Sequence, residues 1–447
     1  MDASADSRRF CTGAAEVPSG AGPACDQAAA AEAGDAACPA PMAFTHGASE
    51  ATAQPARRGS SSIVIVAGEA SGDLAGARLA GALRRRMPKA TIEGIGGRRM
   101  REAGVELLAD SSHWGAIGVA ESLARIPRVW RPLRQLKARL QAERPLAIVL
   151  IDSGGMNVPL LRMIRTIDIT KLYYMPPGSW SRRPRSQALP DLVDGIATPF
   201  PWSRELLSGG RARVEWVGHP VAETARPQLG RAEAYQRYGL DPGRPVIAVA
   251  PGSRAQEMRY VLPVLAAAAA IVARQDPGAQ FISPASDPVH EKTIANEFRR
   301  LGIEVALLRG MEYDALQLAD VAAVCSGTAT LEFACLRVPM VIVYRATTLT
   351  TVQFVVFRGL LGKQWRAGMP NIIAGRDIVP EFLGRFARPR PIARELSSLL
   401  SDRARREQMQ ADLTEVGEAL GDGNASERTA DLLLELIAAR SAGKKAA

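Results

Sequence analysis

Small and hydroxyl-bearing residues gather in the stretch VCSGTATLE, at residues 324–332. The stretch follows an apolar run, so it predicts the end of a strand and the start of a helix. Small side chains there let a ligand approach backbone amides, and Glu332 can accept a hydrogen bond from a sugar hydroxyl. A helix cap followed by a first-turn acid would need no ligand at all. The stretch therefore indicates a nucleotide or sugar site, with a structural cap as the alternative.

A second candidate is APGSRAQEM, at residues 250–258, which follows another apolar run. Gly252 permits close backbone approach, Ser253 offers an amide and a hydroxyl, and Arg254 carries a fork of donors that matches phosphate oxygens. A cation at a helix start is unfavourable for the helix dipole unless an anion lies there. This pattern favours phosphate binding by Arg254 over a solvated arginine, whereas Glu257 is interpreted as a helix-start acid.

A third turn, AGEASGDLAG, spans residues 67–76 and contains Gly68, Ser71 and Gly72. It is not the dinucleotide pattern GxGxxG, and Glu69 would repel a phosphate that came close. NAD is therefore discounted. The turn either has only a structural capping role or borders a sugar or acceptor pocket.

The elements around these turns alternate between short β-branched runs and amphipathic helical stretches from Ile63 onward. This alternation predicts βαβ units, parallel sheets and an α/β fold with two Rossmann-like doubly wound domains that face one cleft. A second series of strands begins at PVIAVAPGSR, and the last long helix, ending near Ala439, is assigned to it. The predicted parts are a disordered extension (1–60), a first Rossmann-like domain (61–225), a linker (226–244), a second Rossmann-like domain (245–425), and a C-terminal helix and tail (426–447).

Composition narrows the class of protein. The 447 residues are 47% hydrophobic and 23% charged, which is typical of soluble globular proteins, and no apolar run is long enough to cross a bilayer. The first sixty residues hold four basic and seven acidic residues, so the remainder has a net charge of +13. That excess predicts an anionic partner. Three of the five cysteines lie in the extension, which argues against a disulfide framework and fits a reducing cytoplasm.

Eight motifs, in order and with sensible spacing from about Ile63 to the C-terminus, carry a family resemblance. They are AGEASGDLAG, GIGGRRM, IGVAESL, VGHPVAE, PGSRAQEM, CSGTATLEFA, PMVIVYR and MPNIIAGRDIVPEFL. Together they resemble the lipid-A-disaccharide synthase family. The resemblance implies the two-domain GT-B fold and a transfer of 2,3-diacylglucosamine from UDP to 2,3-diacylglucosamine-1-phosphate, with inversion and without a metal. A UDP-sugar is then a substrate, and no cofactor is expected.

The resemblance also implies roles for individual residues. Arg254 and the neighbouring amides of Gly252 and Ser253 are expected to hold the diphosphate, and Glu332 to bind the ribose. The expected nucleoside and cleft residues on the same side are Ser326, Gly327, Thr328, Thr330 and Asn371. On the acceptor side, the expected cleft residues are Gly68, Glu69, Ser71, Gly72, Asn157, Trp180, Arg183 and His219.

Asp152 ends the apolar run LAIVLIDS and matches the family's essential aspartate. An inverting transfer needs a base for the acceptor hydroxyl, so Asp152 is predicted to be the general base or to position the acceptor. A helix cap is the structural alternative. Of the four histidines, His219 borders the cleft in VGHP, whereas His46, His113 and His290 lie elsewhere, and none belongs to a metal-ligand cluster.

Two acceptor-side motifs depart from the family pattern. Gly155 stands where the family has a second aspartate, and PPGSWSRR replaces the usual Ser-Pro-Ser-Val-Trp-Ala-Trp-Arg, with Arg182 in place of the second tryptophan. The nucleotide-side motifs are intact. The sequence therefore supports a UDP-sugar substrate more firmly than a particular lipid acceptor. A UDP-sugar epimerase of the same fold and a non-catalytic nucleotide-sugar or lipid-binding paralogue remain as alternatives.

Two apolar and basic stretches, residues 113–140 and 350–366, predict peripheral contact with an anionic membrane surface. Amphipathic core helices with solvated basic faces would give the same pattern. The expected location is the cytoplasmic side of the inner membrane, and a homodimer is compatible with the sequence. Nucleic-acid binding is not expected, because the basic residues lack interleaved aromatic residues.

Overall fold

A computed structural model of the protein describes residues 61–111, 114, 119–181, 188–345 and 366–446, without the side chains of 119–128 and 444–446. The described residues belong to one compact unit. Predictions for the extension 1–60, for His113, Arg182 and Arg183, and for residues 350–365 lie outside the described residues. No described helix is long and apolar enough to cross a membrane.

The first half of the fold is a seven-stranded parallel sheet with its helices. Its strand order is β3-β2-β1-β4-β5-β6-β7. The central strands are rich in β-branched residues and buried on both faces, as parallel strands covered by helices must be. The strands are β1 (Ser62–Ala67), β2 (Thr91–Gly96), β3 (Glu106–Asp110), β4 (Ala147–Ile151), β5 (Thr170–Tyr174), β6 (Gly195–Thr198) and β7 (Arg213–Trp216).

The second half is a six-stranded parallel sheet with its helices, and its strand order is β10-β9-β8-β11-β12-β13. The two central strands, VIAVA and VAAVC, are again fully buried. The strands are β8 (Val246–Ala250), β9 (Gln280–Ala285), β10 (Ala306–Arg309), β11 (Val321–Cys325), β12 (Met340–Tyr344) and β13 (Glu381–Leu383). The prediction of an α/β fold with two doubly wound sheets is thereby confirmed.

Helices pack against both sheets. The first sheet packs α1 on one face and α3 and α4 on the other. The helices up to the start of β8 are α1 (Ala70–Arg86), α2 (Arg98–Glu102), α3 (Val119–Glu143), α4 (Gly154–Met163), α5 (Pro201–Leu207), α6 (Val221–Thr224) and α7 (Arg231–Tyr238). After β8 come α8 (Ala255–Tyr260), α9 (Leu262–Gln275), α10 (Pro288–Arg300), α11 (Tyr313–Leu316), α12 (Ala329–Cys335), α13 (Met369–Ala374), a 3₁₀ turn (Gly384–Phe386), α14 (Pro389–Ser401), α15 (Arg403–Ala419) and α16 (Ala425–Ala446).

The last helix, α16, packs on the first half. The prediction from the sequence, which placed this helix with the second series of strands, is wrong. Leu432 and Leu433 are buried in the same core as the apolar face of α1. Arg86 of α1 pairs with Asp431 at 2.6 Å and also with Glu427. The helix is therefore held by apolar burial and ion pairs, which sequence order cannot reveal.

The chain crosses between the halves at two places, near Gly218 and near Gly421, and these two places touch. Both glycines have φ near 90°, a conformation that other residues rarely adopt. A side-chain carbon on Gly218 would lie 3.0 Å from the carbonyl oxygen of Leu420, and one on Gly421 would lie 3.1 Å from the Gly218 Cα atom. Glycine is thus required at the crossing for conformation and for space.

Candidate active site

A cavity of about 280 Å³ lies between the two halves. It opens where the carboxyl ends of central strands meet, at the points where strand order reverses, which is where open parallel sheets bind ligands. The register pairs Ala67 with Ile151 in the first sheet and Ala250 with Val324 in the second, so the turns after these strands are neighbours. The predicted residues that line the cavity are Ser71, Asp152, Trp180, His219, Gly327, Thr328 and Glu332.

Asp152 lies directly after β4 and lines the cavity. Burial raises the pKa of its carboxyl to about 6, and the negative charge of Glu69 adds to the rise, while a backbone hydrogen bond from Ser153 opposes it. A carboxylate with a pKa close to neutrality can take a proton and release it again at physiological pH. The position therefore suits a general base better than a helix cap, and the side chain of the following residue, Ser153, makes no cap hydrogen bond for α4 either.

The backbone at Asp152 is held in a left-handed conformation, with φ of 48° there and 43° at Ser153. The buried side chain of Asn157 donates to the carbonyl oxygens of Ile151 at 2.9 Å and Asp152 at 3.0 Å. The Tyr173 hydroxyl donates to the Asp152 carbonyl at 2.6 Å. Asn157 thus fixes the turn that aims the carboxyl, and the structure gives it a positioning role.

The turn after β1 mixes structural residues with residues that face the cavity. A side-chain carbon on Gly68 would lie 2.6 Å from Ser153 Oγ, and one on Gly72 would lie 3.3 Å from the Ala67 side chain, so both glycines serve close packing. Asp73 accepts hydrogen bonds from the amides of Gly97, Arg99 and Met100 and thereby caps α2. Of this motif, Ser71 lines the cavity and Glu69 acts on Asp152.

Arg254 lies at the start of α8 and reaches across the cleft. Its guanidinium pairs with Glu69 of the first half at 3.4 Å and with Glu257 of its own helix at 3.3 Å. Glu257 also accepts the amides of Ser253 at 2.7 Å and Arg254 at 2.9 Å, so it is the helix-start acid that the sequence predicts. These amides already have a partner, which leaves the guanidinium as the group best able to bind an anion.

Gly252 makes the position of Glu257 feasible. Its φ is 106°, and a side-chain carbon there would lie 2.1 Å from a carboxylate oxygen of Glu257. The glycine in PGSR is therefore required by the carboxylate of its own chain, and close approach of a ligand need not be invoked to explain it.

The turn after β11 presents Gly327 and Thr328 to the cavity. Ser326 donates its hydroxyl to the Ala367 carbonyl at 3.3 Å, and the buried Thr330 hydroxyl donates to the Gly327 carbonyl at 2.7 Å. Thr330 therefore shapes the turn, whereas Thr328 is exposed and lines the cavity, where its hydroxyl can contact a ligand.

Glu332 lies on α12 and lines the cavity, with Tyr313 behind it. The Tyr313 hydroxyl donates to a Glu332 carboxylate oxygen at 2.7 Å. Burial raises the pKa of Glu332, while Tyr313 and the charge of Arg99 oppose the rise. Tyr313 thus fixes one carboxylate oxygen and leaves the other available to a hydroxyl group in the cavity.

Asn371 is buried and does not line the cavity. Its amide donates to the Val379 carbonyl and to the Glu381 carboxylate, both at 2.8 Å, and its oxygen accepts the amides of Ile378 at 2.8 Å and Val379 at 2.9 Å. The chain itself therefore uses the hydrogen-bonding capacity that the resemblance assigned to the nucleotide. Contact between Asn371 and a ligand stays a prediction.

The acceptor side of the cavity is more open. Trp180 is 40% exposed, and Gly155 lies at the start of α4 with nothing within 4 Å of the place where a side-chain carbon would be. The aspartate that the family pattern has at position 155 would therefore fit here without a clash. The glycine removes a charge near Asp152, and packing does not explain the change.

Three residues of the site were not predicted: Tyr313, Asp73 and Tyr173. Each acts on a partner more than ten residues away, so their roles depend on tertiary contacts. Asp73 offered one signal, as an acid in the first turn of α1, but nothing in the sequence indicated that it caps a different helix. Among the described residues, no group of three or more histidine, cysteine, aspartate or glutamate side chains is placed to hold a metal ion.

We expect Glu69→Gln to lower the pKa of Asp152, because it removes the negative charge that favours the protonated carboxyl. If Asp152 must be ionised for activity, the acid limb of the pH–rate profile will move to lower pH. Steady-state rates between pH 4.5 and 8 measure this shift. Glu102→Gln on the exposed side of α2 is a matched control, and an unmoved limb in Glu69→Gln would contradict the electrostatic coupling.

Comparison with known proteins decides the family. A model for the family described as lipid-A-disaccharide synthetase matches residues 63–435. The lipid-A-disaccharide synthase of Geobacter sulfurreducens is 39% identical over 376 residues, which cover 84% of this chain and 97% of that protein. The enzyme of Anaeromyxobacter sp. is 38% identical over 379 residues, covering 84% of this chain and 97% of that protein. The chain belongs to the lipid-A-disaccharide synthase family.

Solved structures agree on the fold. The UDP-GlcNAc 2-epimerase of Neisseria meningitidis, bound to UDP-GlcNAc, superposes with a TM-score of 0.56 at 13% identity and covers 84% of this chain and all of that one. The S. aureus MnaA–UDP co-structure gives a TM-score of 0.54 at 13% identity, covering 82% and 94%. At this identity the likeness shows the GT-B fold alone. Membership of the lipid-A-disaccharide synthase family makes the protein a UDP-sugar glycosyltransferase of lipid A biosynthesis.

Proposed function

We propose that the protein transfers 2,3-diacylglucosamine from UDP to a hydroxyl of 2,3-diacylglucosamine-1-phosphate, with inversion and without a metal ion or other cofactor. One observation carries the proposal: Asp152, whose pKa is raised to about 6, lines the same cavity as Gly327, Thr328 and Glu332 of the other half. A base and a nucleotide site on opposite walls match a transfer between a bound nucleotide-sugar and an incoming alcohol.

In the proposed reaction, the acceptor oxygen attacks the anomeric carbon of the donor sugar. A bond forms between that oxygen and the carbon while the bond from the carbon to the β-phosphate oxygen breaks. The acceptor's proton passes to the Asp152 carboxylate, and the bonding electron pair leaves with UDP. Attack from the face opposite UDP inverts the anomeric configuration. Ionised Asp152 is required at the start, so the rate should rise through about pH 6 and then level off.

Arg254 is the proposed partner of the diphosphate. Its guanidinium pairs with Glu69 and Glu257, and a diphosphate offers more negative charge and better bidentate geometry than either carboxylate. If the diphosphate replaced Glu69 as the partner of Arg254, the ion pair across the cleft would be broken. Glu332 is the proposed partner of a ribose hydroxyl. It lines the cavity, and Tyr313 holds one of its carboxylate oxygens in place, so the other can accept from the ribose.

The acceptor carries a phosphate and acyl chains, and the folded part of the chain has a large positive charge. Trp180 and the cavity wall formed by Met175, Pro176 and Phe200 offer apolar surface beside Asp152. We propose that the lipid enters on this side while the protein rests on the cytoplasmic surface of the inner membrane. Assembly as a homodimer is compatible with this arrangement.

The test is UDP release with the diacylated donor, measured in the presence and absence of 2,3-diacylglucosamine-1-phosphate. We expect release that depends on the acceptor, together with a β-linked disaccharide product and full activity in excess chelator. UDP-sugar binding without release under either condition would overturn the proposal in favour of a binding protein. Epimerisation of UDP-N-acetylglucosamine in the absence of acceptor would overturn it in favour of an isomerase.

We expect Arg254→Gln to weaken UDP binding by at least about tenfold, because a charged partner of the diphosphate is lost. The fold should survive, since the Arg254 side chain is 48% exposed. Isothermal titration with UDP measures the effect. Arg259→Gln is the matched control, as it removes the same charge from an exposed position on the same helix. Equal UDP affinity in the two variants would contradict the assignment.

A further inference from the structure

His219 lies where the chain crosses between the halves, and it lines the cavity. Its backbone amide donates to the Leu420 carbonyl at 2.7 Å, which ties the residue to the second crossing. The Phe200 ring lies beside the imidazole, with ring centres 5.7 Å apart and planes inclined by 39°. The backbone hydrogen bond and the Phe200 ring therefore hold the residue at the cavity that Asp152 also lines.

One ring nitrogen of His219 has its role fixed by the backbone. The amide of Val221 donates to Nδ1 at 3.1 Å, so Nδ1 is an acceptor and the single proton of the neutral ring is on Nε2. Within the described part of the chain, no hydrogen-bond partner for Nε2 is found. Nε2 is also not one of the fully buried polar atoms without a partner, so it is accessible to a ligand. The ring thus keeps one N–H donor that the protein does not use.

The ring also stays uncharged. Burial lowers the pKa of His219 to about 4, so the imidazole is neutral throughout the range in which Asp152 ionises. Asp152 and Glu332 are the titratable side chains that share the cavity with it. A cationic ring near Asp152 would lower the pKa of that carboxyl and weaken it as a base. A neutral donor can bond to a substrate oxygen without that cost.

We propose that His219 is a further catalytic residue of this transfer, a neutral donor whose Nε2–H bonds to an oxygen of the bound UDP-sugar. The proposal deepens the function stated above and rests on it. The two ring nitrogens then have separate roles. Nδ1 accepts from the Val221 amide and stabilises that turn, and Nε2 donates to the substrate. These tasks can be separated by substitution, because an asparagine side chain resembles the Nδ1 side of the ring and a glutamine side chain reaches as far as Nε2.

The first measurement is nitrogen NMR of the full-length protein with labelled histidine. For His219 we expect an acceptor-type Nδ1 signal and a protonated Nε2 signal, both unchanged between pH 6 and 8. UDP-N-acetylglucosamine, as a soluble probe, should shift the Nε2 signal, and UDP alone serves as a comparison. An Nε2 signal that no nucleotide-sugar moves would overturn the proposal. The signals are assigned by their loss in His219→Gln.

The second measurement is kinetic. His219→Asn keeps an acceptor for the Val221 amide but withdraws the distal donor, so kcat should fall about tenfold while thermal stability and the acid limb of the pH profile stay unchanged. His219→Gln restores a donor at the longer reach and should recover part of kcat. Wild-type kcat in His219→Asn would overturn the proposal. A wild-type protein that releases no UDP would overturn the proposed function instead, and the NMR arm would still test the contact.

Discussion

Asp152→Asn is expected to abolish transfer and, at the same time, to stabilise the protein at neutral pH. The amide cannot take the acceptor proton, so the rate should fall roughly a thousandfold, within the range for loss of a general base. UDP affinity should stay close to that of the wild type, because UDP is assigned to the other half. Acceptor-dependent UDP release and titration with UDP measure the two effects.

The gain in stability follows from the raised pKa. An aspartate ionises near pH 3.9 in an unfolded chain, whereas in the folded protein Asp152 ionises near pH 6. The folded state therefore favours the protonated carboxyl, and stability is lost as the pH rises from about 4 through about 6. At pH 8 the ionised carboxyl costs on the order of 3 kcal/mol, and the neutral asparagine removes that cost.

Asparagine is the informative substitute because of the backbone at this position. With φ of 48°, Asp152 has a left-handed conformation that asparagine tolerates better than alanine. Asp152→Ala should also lose transfer, but strain of about 1 kcal/mol would offset part of its gain in stability. Thermal midpoints at pH 4 and pH 8 separate these contributions. If Asp152→Asn retained turnover, or were no more stable than wild type at pH 8, the base assignment would be wrong.

The fold could be predicted from the sequence because each strand is a short apolar run followed by a turn of small residues. IVIVAG, LAIVLIDS and VAAVCSG give both the strand and the place where its turn begins. Parallel pairing then brings these turns to one edge of each sheet. The position of α16 could not be predicted, because its contacts with α1 join residues more than three hundred positions apart.

The sequence predicts a site residue reliably only where its residue type and position allow a single role. Asp152 directly follows a buried strand and was predicted to face the cleft; the structure places it at the cavity, while its role as general base stays a prediction. Gly252 and Asn371 lie in equally suggestive motifs, but in the structure Gly252 makes room for Glu257, and Asn371 binds the loop at Ile378 and Val379. A motif indicates that a residue is needed, but it does not show whether that residue contacts a ligand or another part of the chain.

We expect Asn371→Ala to destabilise the second half by roughly 2–4 kcal/mol, because four hydrogen bonds are lost and buried backbone groups lose their partners. Faster hydrogen exchange at the amides of Ile378 and Val379, together with a lower thermal midpoint, measures the loss. UDP affinity of the folded protein, determined well below the midpoint, should change little.

Asn371→Asp gives a sharper version of the same test. It keeps the oxygen that accepts from Ile378 and Val379, but it sets a carboxylate oxygen against the Val379 carbonyl and the Glu381 carboxylate. Since a protonated carboxyl can still donate one hydrogen bond, the stability of this variant should recover as the pH falls. If Asn371→Ala kept wild-type stability while losing UDP affinity, the amide would be a nucleotide ligand, and the cleft would have to include α13.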